Sequence, residues 1–75
     1  MINEKGNRIF RKLIYYFENK IEVHINSTVG FRNGLILDLS ESKLSLVIDD
    51  HKNGATPILL EDINEESISK YREKF

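Results

Sequence analysis

The chain has 75 residues, 40% of them hydrophobic, no cysteine, and a net charge of −1. This length predicts one domain, residues 1–75, whose thin core leaves little room for a catalytic pocket, so we expect a binding or assembly protein and no enzyme. The missing cysteines exclude disulfides, thiolate zinc sites and a cysteine nucleophile.

Residues 1–8, MINEKGNR, lack the apolar run of a signal peptide. Further along the chain, no apolar stretch approaches the roughly 20 residues that span a bilayer. We therefore expect a cytoplasmic protein with no membrane partner.

Apolar residues recur at spacings of three and four between residues 7 and 19, which predicts an amphipathic helix. Asn7 is a candidate N-cap, and Asn19 stands where a residue that tolerates left-handed backbone often ends a helix. The apolar face, with Phe10, Leu13 and Phe17, is expected to cover the core of the domain. The opposite face carries what we call the helix stripe, formed by Arg8, Arg11, Lys12 and Tyr15.

After Lys20 the apolar period changes to two, the period of half-buried strands. Five strands are expected, at residues 21–26, 31–39, 43–49, 57–61 and 67–71. In the second strand, Leu35, Leu37 and Leu39 are predicted to share one face, opposite Ile36. Gly34 inside that strand indicates a sharp bend or close packing.

The third and fourth strands are predicted to form a hairpin, because Asn53-Gly54 tolerates the positive φ of a tight turn. Alternation turns Ile58 and Leu60 inward and leaves Leu59 on the outer side of a possible edge strand. Such an edge invites pairing with another chain, although Leu59 packing beneath the helix is an alternative. The predicted oligomer edge comprises Ile58, Leu59 and Leu60 with Ile68 and Tyr71 of the fifth strand.

One helix followed by five short strands predicts a mainly β fold in which a strongly bent antiparallel sheet closes, fully or partly, into a small barrel. The barrel is expected over residues 20–71, with a frayed tail at 72–75. Phe31 follows a turn and is predicted to plug one end of this barrel; exposure for stacking is the alternative.

The chain resembles the Sm-like family of small, SH3-like barrels, through NKIEVHI at residues 19–25, FRNGLIL at 31–37 and PILLEDI at 57–63. The resemblance implies homo-oligomeric rings of six or seven copies, in which the fourth strand of one subunit pairs with the fifth of the next. It also implies a uridine-rich RNA site made of two loops. Both loops depart from the family pattern: Lys43 replaces an asparagine, and the acidic residues 62–66 replace an arginine–glycine pair and repel phosphate.

Two functions therefore stay open. RNA could bind the helix stripe, supported by the +3 charge of residues 1–20, with Tyr15 stacking on a base and Arg32 and Lys43 adding cations. These cations could equally be ordinary solvated side chains. A protein partner could instead dock on the acidic turn, residues 61–66, and the edge strand, in keeping with the −4 charge of residues 21–75.

No cofactor or metal is expected. Asp49, Asp50 and His51 resemble a metal site, but adjacent strand residues point to opposite faces and His24 is the only other histidine. Nothing in the sequence places Ser45 beside His24 as a nucleophile and its base.

Overall fold

The computed structural model describes residues 4–71, in which one helix precedes five antiparallel strands. The mainly β architecture that the sequence predicts is thus confirmed. The predicted frayed tail at residues 72–75 lies outside the described residues. In chain order the elements are α1 (Glu4–Glu18), β1 (Val23–Ser27), β2 (Gly30–Ser40), β3 (Ser45–Asp50), β4 (Gly54–Leu59), two 3-10 turns (Leu60–Asp62 and Glu65–Ser67) and β5 (Ser69–Lys70).

The strands form one sheet in the order β4-β3-β2-β1-β5, so β4 and β5 are its two edges. An isolated bridge between Ser27 and Ile63 extends the β1 side beyond the sheet proper. Within residues 4–71 no strand pairing joins β4 to β5. The sheet is therefore open, and the predicted closure into a barrel is not observed.

The core lies between the inner face of the sheet and α1. Leu13 is fully buried, and Phe10 and Phe17 pack partly buried against the same cluster, as the amphipathic pattern predicts. Among residues 4–71, ten aliphatic side chains are at most 5% exposed: Ile9, Leu13, Val23, Ile25, Ile36, Leu46, Ile48, Ile58, Leu60 and Ile63.

The helix begins at Glu4, three residues earlier than predicted, so Asn7 lies inside it and is not its N-cap. At the other end Asn19 supports the last turn, because both its backbone N–H (3.1 Å) and its Nδ2 (2.8 Å) donate to the carbonyl of Tyr15. The left-handed residue is Lys20, with φ 54°, one position later than expected. Of the helices within residues 4–71, none has the length and apolarity that a bilayer crossing requires.

A β-bulge in β2 overturns the predicted faces of that strand. Ile36 pairs with Ile48, but the next pair joins Asp38 to Val47, so Leu37 is an extra residue on the β2 side. The alternation therefore changes phase: Ile36 is buried, Leu37 is 49% exposed, and Leu39 turns back to pack on the core. The prediction that Leu35, Leu37 and Leu39 share one face is wrong because it assumed an uninterrupted period of two.

The later strands also differ from their predicted bounds. β3 begins at Ser45, since Leu44 adopts a left-handed φ of 48° in the preceding turn. β4 begins at Gly54 and ends at Leu59, where the chain turns into the first 3-10 turn, and β5 has only two residues. The predicted alternation at the end of β4 is confirmed, because Ile58 and Leu60 are buried and Leu59 is 49% exposed.

Candidate functional site

The helix stripe lies on the outer surface of α1, where Tyr15 is 59% exposed. The charges of Arg8 and Lys12 in this stripe are partly neutralised by Glu65 of the same chain. Arg8 Nε lies 3.2 Å from one carboxylate oxygen of Glu65, and Lys12 Nζ lies 3.1 Å from the other. Hydrogen bonds from Lys12 and Arg8 hold the pKa of Glu65 below its usual value. Arg11 lines a neighbouring cleft of about 360 Å³ together with Glu4, Asn7 and Arg8.

The structure does not bring Arg32 and Lys43 together. Arg32 is the third residue of β2, and Lys43 lies in the turn that follows the last residue of the same strand. At roughly 3.3 Å per residue, this places about 25 Å of strand between them. The guanidinium of Arg32 folds back on its own strand, donating to the carbonyl of Phe31 (2.8 Å), while its Nε is buried without a partner.

Phe31 is 60% exposed and does not plug the core as predicted. It pairs with Asn26 across the β1–β2 hairpin, on the face opposite to the buried Val23 and Ile25. Its ring stacks on His24, with centroids 5.1 Å apart and planes inclined by 22°. His24 is oriented in turn by a hydrogen bond from its Nδ1 to the side-chain oxygen of Asn33, with which it pairs in the sheet.

This stack borders a groove of about 390 Å³ between the start of β2 and the loop that joins β3 to β4. We call it the aromatic groove; its lining includes Phe31, Arg32, Asn33, His51, Lys52 and Tyr71. Phe31 and Tyr71 contribute aromatic rings to this concave surface, and the exposed Lys52 contributes a permanent cation. Arg32 pairs with the buried Ile25, so its side chain leaves β2 on the face opposite to Phe31.

One end of the aromatic groove is closed by His51. Its Nε2 donates to Glu22 at 2.8 Å, and its ring meets Tyr71 edge-on with centroids 4.8 Å apart. The hydrogen bond to Glu22 raises the pKa of His51, so the ring stays charged to a higher pH. Because Tyr71 N–H also donates to the Glu22 carbonyl (2.9 Å), these residues join the β3–β4 loop, the start of β1 and the end of β5.

The floor of the aromatic groove depends on Asp50, which is buried at the end of β3. Its carboxylate accepts from the backbone N–H groups of Asn33 (2.9 Å), Asn53 (3.0 Å) and Lys52 (3.2 Å), and from the side chain of Asn53. These donors, the Asn33 amide first, lower the pKa of Asp50. Through these hydrogen bonds Asp50 holds the β3–β4 loop against β2. In the described part of the chain, no group of three His, Asp or Glu side chains could hold a metal ion.

The residues of the predicted oligomer edge lie in different environments. Ile58 and Leu60 belong to the core, Ile68 packs partly buried against it, and Tyr71 contacts His51. Leu59 remains as an exposed apolar side chain on the β4 edge, and it does not pack beneath α1.

The predicted acidic turn, residues 61–66, overlaps the two 3-10 turns and borders a second groove of about 450 Å³. Glu61, Asp62 and Glu66 line it, with Lys5 on the helix side. Ile63 within this turn is fully buried. Because its neighbours in the chain are acidic, the sequence does not indicate this burial.

The His24–Phe31 stack was missed at the level of sequence, although a signal for it exists. The turn at Thr28 and Val29 has two residues, and a two-residue turn fixes the register of a hairpin. That register places Phe31 opposite Asn26 and Asn33 opposite His24. Since Val23 and Ile25 point inward, all four side chains must point outward.

Searches against protein-family models, curated proteins and solved structures found no match to this chain. The sequence and the contacts within residues 4–71 are therefore the basis for a functional assignment.

Proposed function

We propose that this chain is a non-catalytic, Sm-like binding module that assembles into homo-oligomers and binds single-stranded RNA in the aromatic groove. The observation that carries the RNA assignment is the Phe31–His24 stack at the aromatic groove, which the exposed Lys52 also lines. Phe31 is 60% exposed, so most of its side-chain area does not stabilise the fold through burial. Stacking against a base removes that area from water and stabilises the complex.

The stack is arranged for a base before any ligand arrives. His24 covers one side of the Phe31 ring, and Asn33 fixes the orientation of His24. Stacking of a base on such a platform contributes about 1–3 kcal/mol and requires no particular base, because every base has a π face. A second aromatic ring, Tyr71, lines the same groove and is held against His51.

The electrostatics of the groove favour phosphate although the chain as a whole is acidic. Lys52 supplies an exposed cation, whereas Arg32 leaves β2 on the opposite face. The hydrogen bond to Glu22 raises the pKa of His51, so the charge of protonated His51 is paired with that carboxylate. The one carboxylate in the floor, Asp50, is surrounded by four hydrogen-bond donors that offset its charge locally. Neutralised phosphates release counterions, so binding should weaken as salt rises.

The open sheet supports assembly. The family resemblance implies pairing between the fourth strand of one subunit and the fifth strand of the next, and β4 and β5 are the two edges of this sheet. Pairing them in a ring would satisfy the unpaired backbone groups of both edges. The small-barrel identity belongs to the same proposal, and the β2 bulge supports it because a bulge bends its strand.

Phe31→Ala tests the RNA site, with Val29→Ala as its matched control. Both side chains are exposed in the same hairpin, at 60% and 65%, but only Phe31 has a ring. We expect Phe31→Ala to weaken binding of uridine- or adenosine-rich 12-nucleotide RNA by roughly 5- to 150-fold in fluorescence anisotropy at low salt. Val29→Ala should change the affinity less than about twofold. Equal effects of the two variants, or wild-type binding weaker than millimolar, would contradict the proposal.

A second candidate, a protein-interaction module with the same fold, rests on the acidic groove of about 450 Å³ at residues 61–66. Its carboxylates complement a lysine-rich peptide. Calorimetric titration of such a peptide, repeated with Glu66→Lys, discriminates the two functions. Loss of binding in the variant would favour the protein partner, and absence of binding to the wild type would remove it.

A further inference from the structure

In the helix stripe, Arg8 and Lys12 form a pair of cations that already binds a carboxylate of the same chain, that of Glu65. Arg8 and Lys12 lie one helical turn apart, and their side chains are each 51% exposed. The Glu65 carboxylate reaches them from the second 3-10 turn, 57 positions later than Arg8. One oxygen meets each cation, at 3.2 and 3.1 Å. This is the arrangement in which two basic side chains hold two oxygens of a phosphate group.

We infer that Arg8 and Lys12 form a phosphate-chain site of the nucleic-acid backbone type, and that Glu65 blocks it as an intramolecular competitor. The site is separate from the aromatic groove and goes beyond the function proposed above. It contains no exposed stacking partner for a base other than Tyr15, so it recognises charge and not sequence.

Glu65 can be displaced without unfolding the turn that carries it. The turn is held by other contacts: Asn64 Oδ1 accepts from Glu66 N–H at 3.1 Å, and Asn26 N–H donates to Ser67 Oγ at 2.8 Å. The ion pairs themselves are exposed on the cation side, where such pairs are weak and screened by salt. A chain of several phosphates can therefore replace one carboxylate, whereas a single phosphate ion competes poorly.

Arg11 gives the displaced state its advantage. It lines the cleft of about 360 Å³ together with Glu4, Asn7 and Arg8, and Glu65 is not part of that lining. A phosphate chain that replaces Glu65 can extend towards this third cation, which the single carboxylate does not occupy. Opening the site thus adds an interaction that the closed state lacks.

Glu65→Gln tests the inference, with inorganic polyphosphate and a mixed-sequence 12-nucleotide RNA as probes. Polyphosphate has no bases, so its binding does not depend on stacking at Phe31. We expect Glu65→Gln to bind both probes roughly threefold to fivefold more tightly than the wild type at low salt, the equivalent of one exposed ion pair. The gain should disappear when Arg8→Gln and Lys12→Gln are added.

Glu66→Gln is the matched control, because Glu66 lies in the same turn and its loss changes the net charge equally. If Glu66→Gln produced the same gain, or if the gain survived in the Arg8→Gln, Lys12→Gln background, the inference would be overturned. A gain for polyphosphate without one for RNA would overturn the nucleic-acid backbone as ligand. Phe31→Ala should leave polyphosphate binding unchanged, so failure of the aromatic groove and failure of this site are distinguishable.

Discussion

At the scale of single residues, Asp50 organises the loop that forms one wall of the aromatic groove. A carboxylate can accept several hydrogen bonds at once, and here it binds three backbone N–H groups and one side-chain amide. Two of these amides belong to the loop itself, and the third, that of Asn33, belongs to β2. The same side chain that resembles a metal ligand in the sequence is therefore a structural cap.

Asp50→Ala should lower the free energy of unfolding by about 2–3 kcal/mol at pH 7, because it leaves buried amides without a charged acceptor. The folded-state pKa of Asp50 is below the ordinary value near 4, so the unfolded chain takes up the proton first as the pH falls. The stabilisation is complete above about pH 4 and is lost progressively below it. Urea unfolding of wild type and variant at pH 7 and pH 3 should show the difference shrinking.

Asp49→Ala is the control for this measurement, since Asp49 is the adjacent residue and its side chain is exposed. Its replacement should change the free energy of unfolding by less than about 0.5 kcal/mol. A loss at Asp49 as large as that at Asp50, or a loss at Asp50 that does not depend on pH, would contradict the assigned role.

Gly34 also has its effect as a single residue, because its lack of a side chain leaves room for the neighbouring strand. A Cβ built on it would lie 1.9 Å from the backbone oxygen of Asp49, so only glycine allows β2 and β3 to approach this closely. The sequence predicted either a bend or close packing at this position, and close packing is confirmed. The contact adjoins two residues of the aromatic groove, because Gly34 follows Asn33 in the chain and pairs with Asp50.

At the scale of elements, the bulge in β2 decides which side chains stabilise the fold. Ile36→Ala should lower the free energy of unfolding by about 2–4 kcal/mol, because it empties space in the core. Leu37→Ala should cost less than about 1 kcal/mol, because half of that side chain is already exposed to solvent. Chemical unfolding of the two variants measures both values, and a larger loss at Leu37 than at Ile36 would show that the bulge is misplaced.

The edges also belong to this scale. A two-residue β5 has few ladder bonds of its own, since it pairs with β1 only at Val23 and His24. Its position depends on contacts on either side: Ser67 binds Asn26 before it, and Tyr71 binds Glu22 and His51 after it. The element that would pair with a neighbouring subunit is thus held in place by the residues at one end of the aromatic groove.

At the scale of the whole molecule, the open sheet predicts self-association. Light scattering should give a mass of several subunits for the wild type, and Leu59→Lys should reduce it, because a lysine on a strand edge opposes pairing. The melting temperature should rise with wild-type concentration and become independent of it in the variant.

Leu37→Lys is the matched control for assembly, since Leu37 is equally exposed, at 49%, but lies in β2 and not at an edge. It should leave the mass unchanged. A wild-type monomer at all concentrations, or the same decrease in mass for both variants, would remove the edge from the proposed function.

Charge is the property in which sequence and whole molecule differ most. Along the chain, +3 lies in the first 20 residues and −4 in the remainder, which favours a basic surface on the helix. In the folded chain Glu65 from the acidic part meets Arg8 and Lys12 from the basic part. The exposed cation of the aromatic groove, Lys52, comes instead from the β3–β4 loop, where the sequence shows only an isolated basic residue.

The sequence by itself determined what depends on neighbouring positions in the chain: the amphipathic helix, the inward Val23 and Ile25, and the outward Leu59. Periodicity is a local property, because each side chain's direction follows from the backbone geometry of its own element. Only the tertiary structure decided the phase change at Leu37, the burial of Ile63, the Glu65 ion pairs and the aromatic groove. Those features arise where segments far apart in sequence meet, and contact across such distances leaves no repeating pattern in the residues that make it.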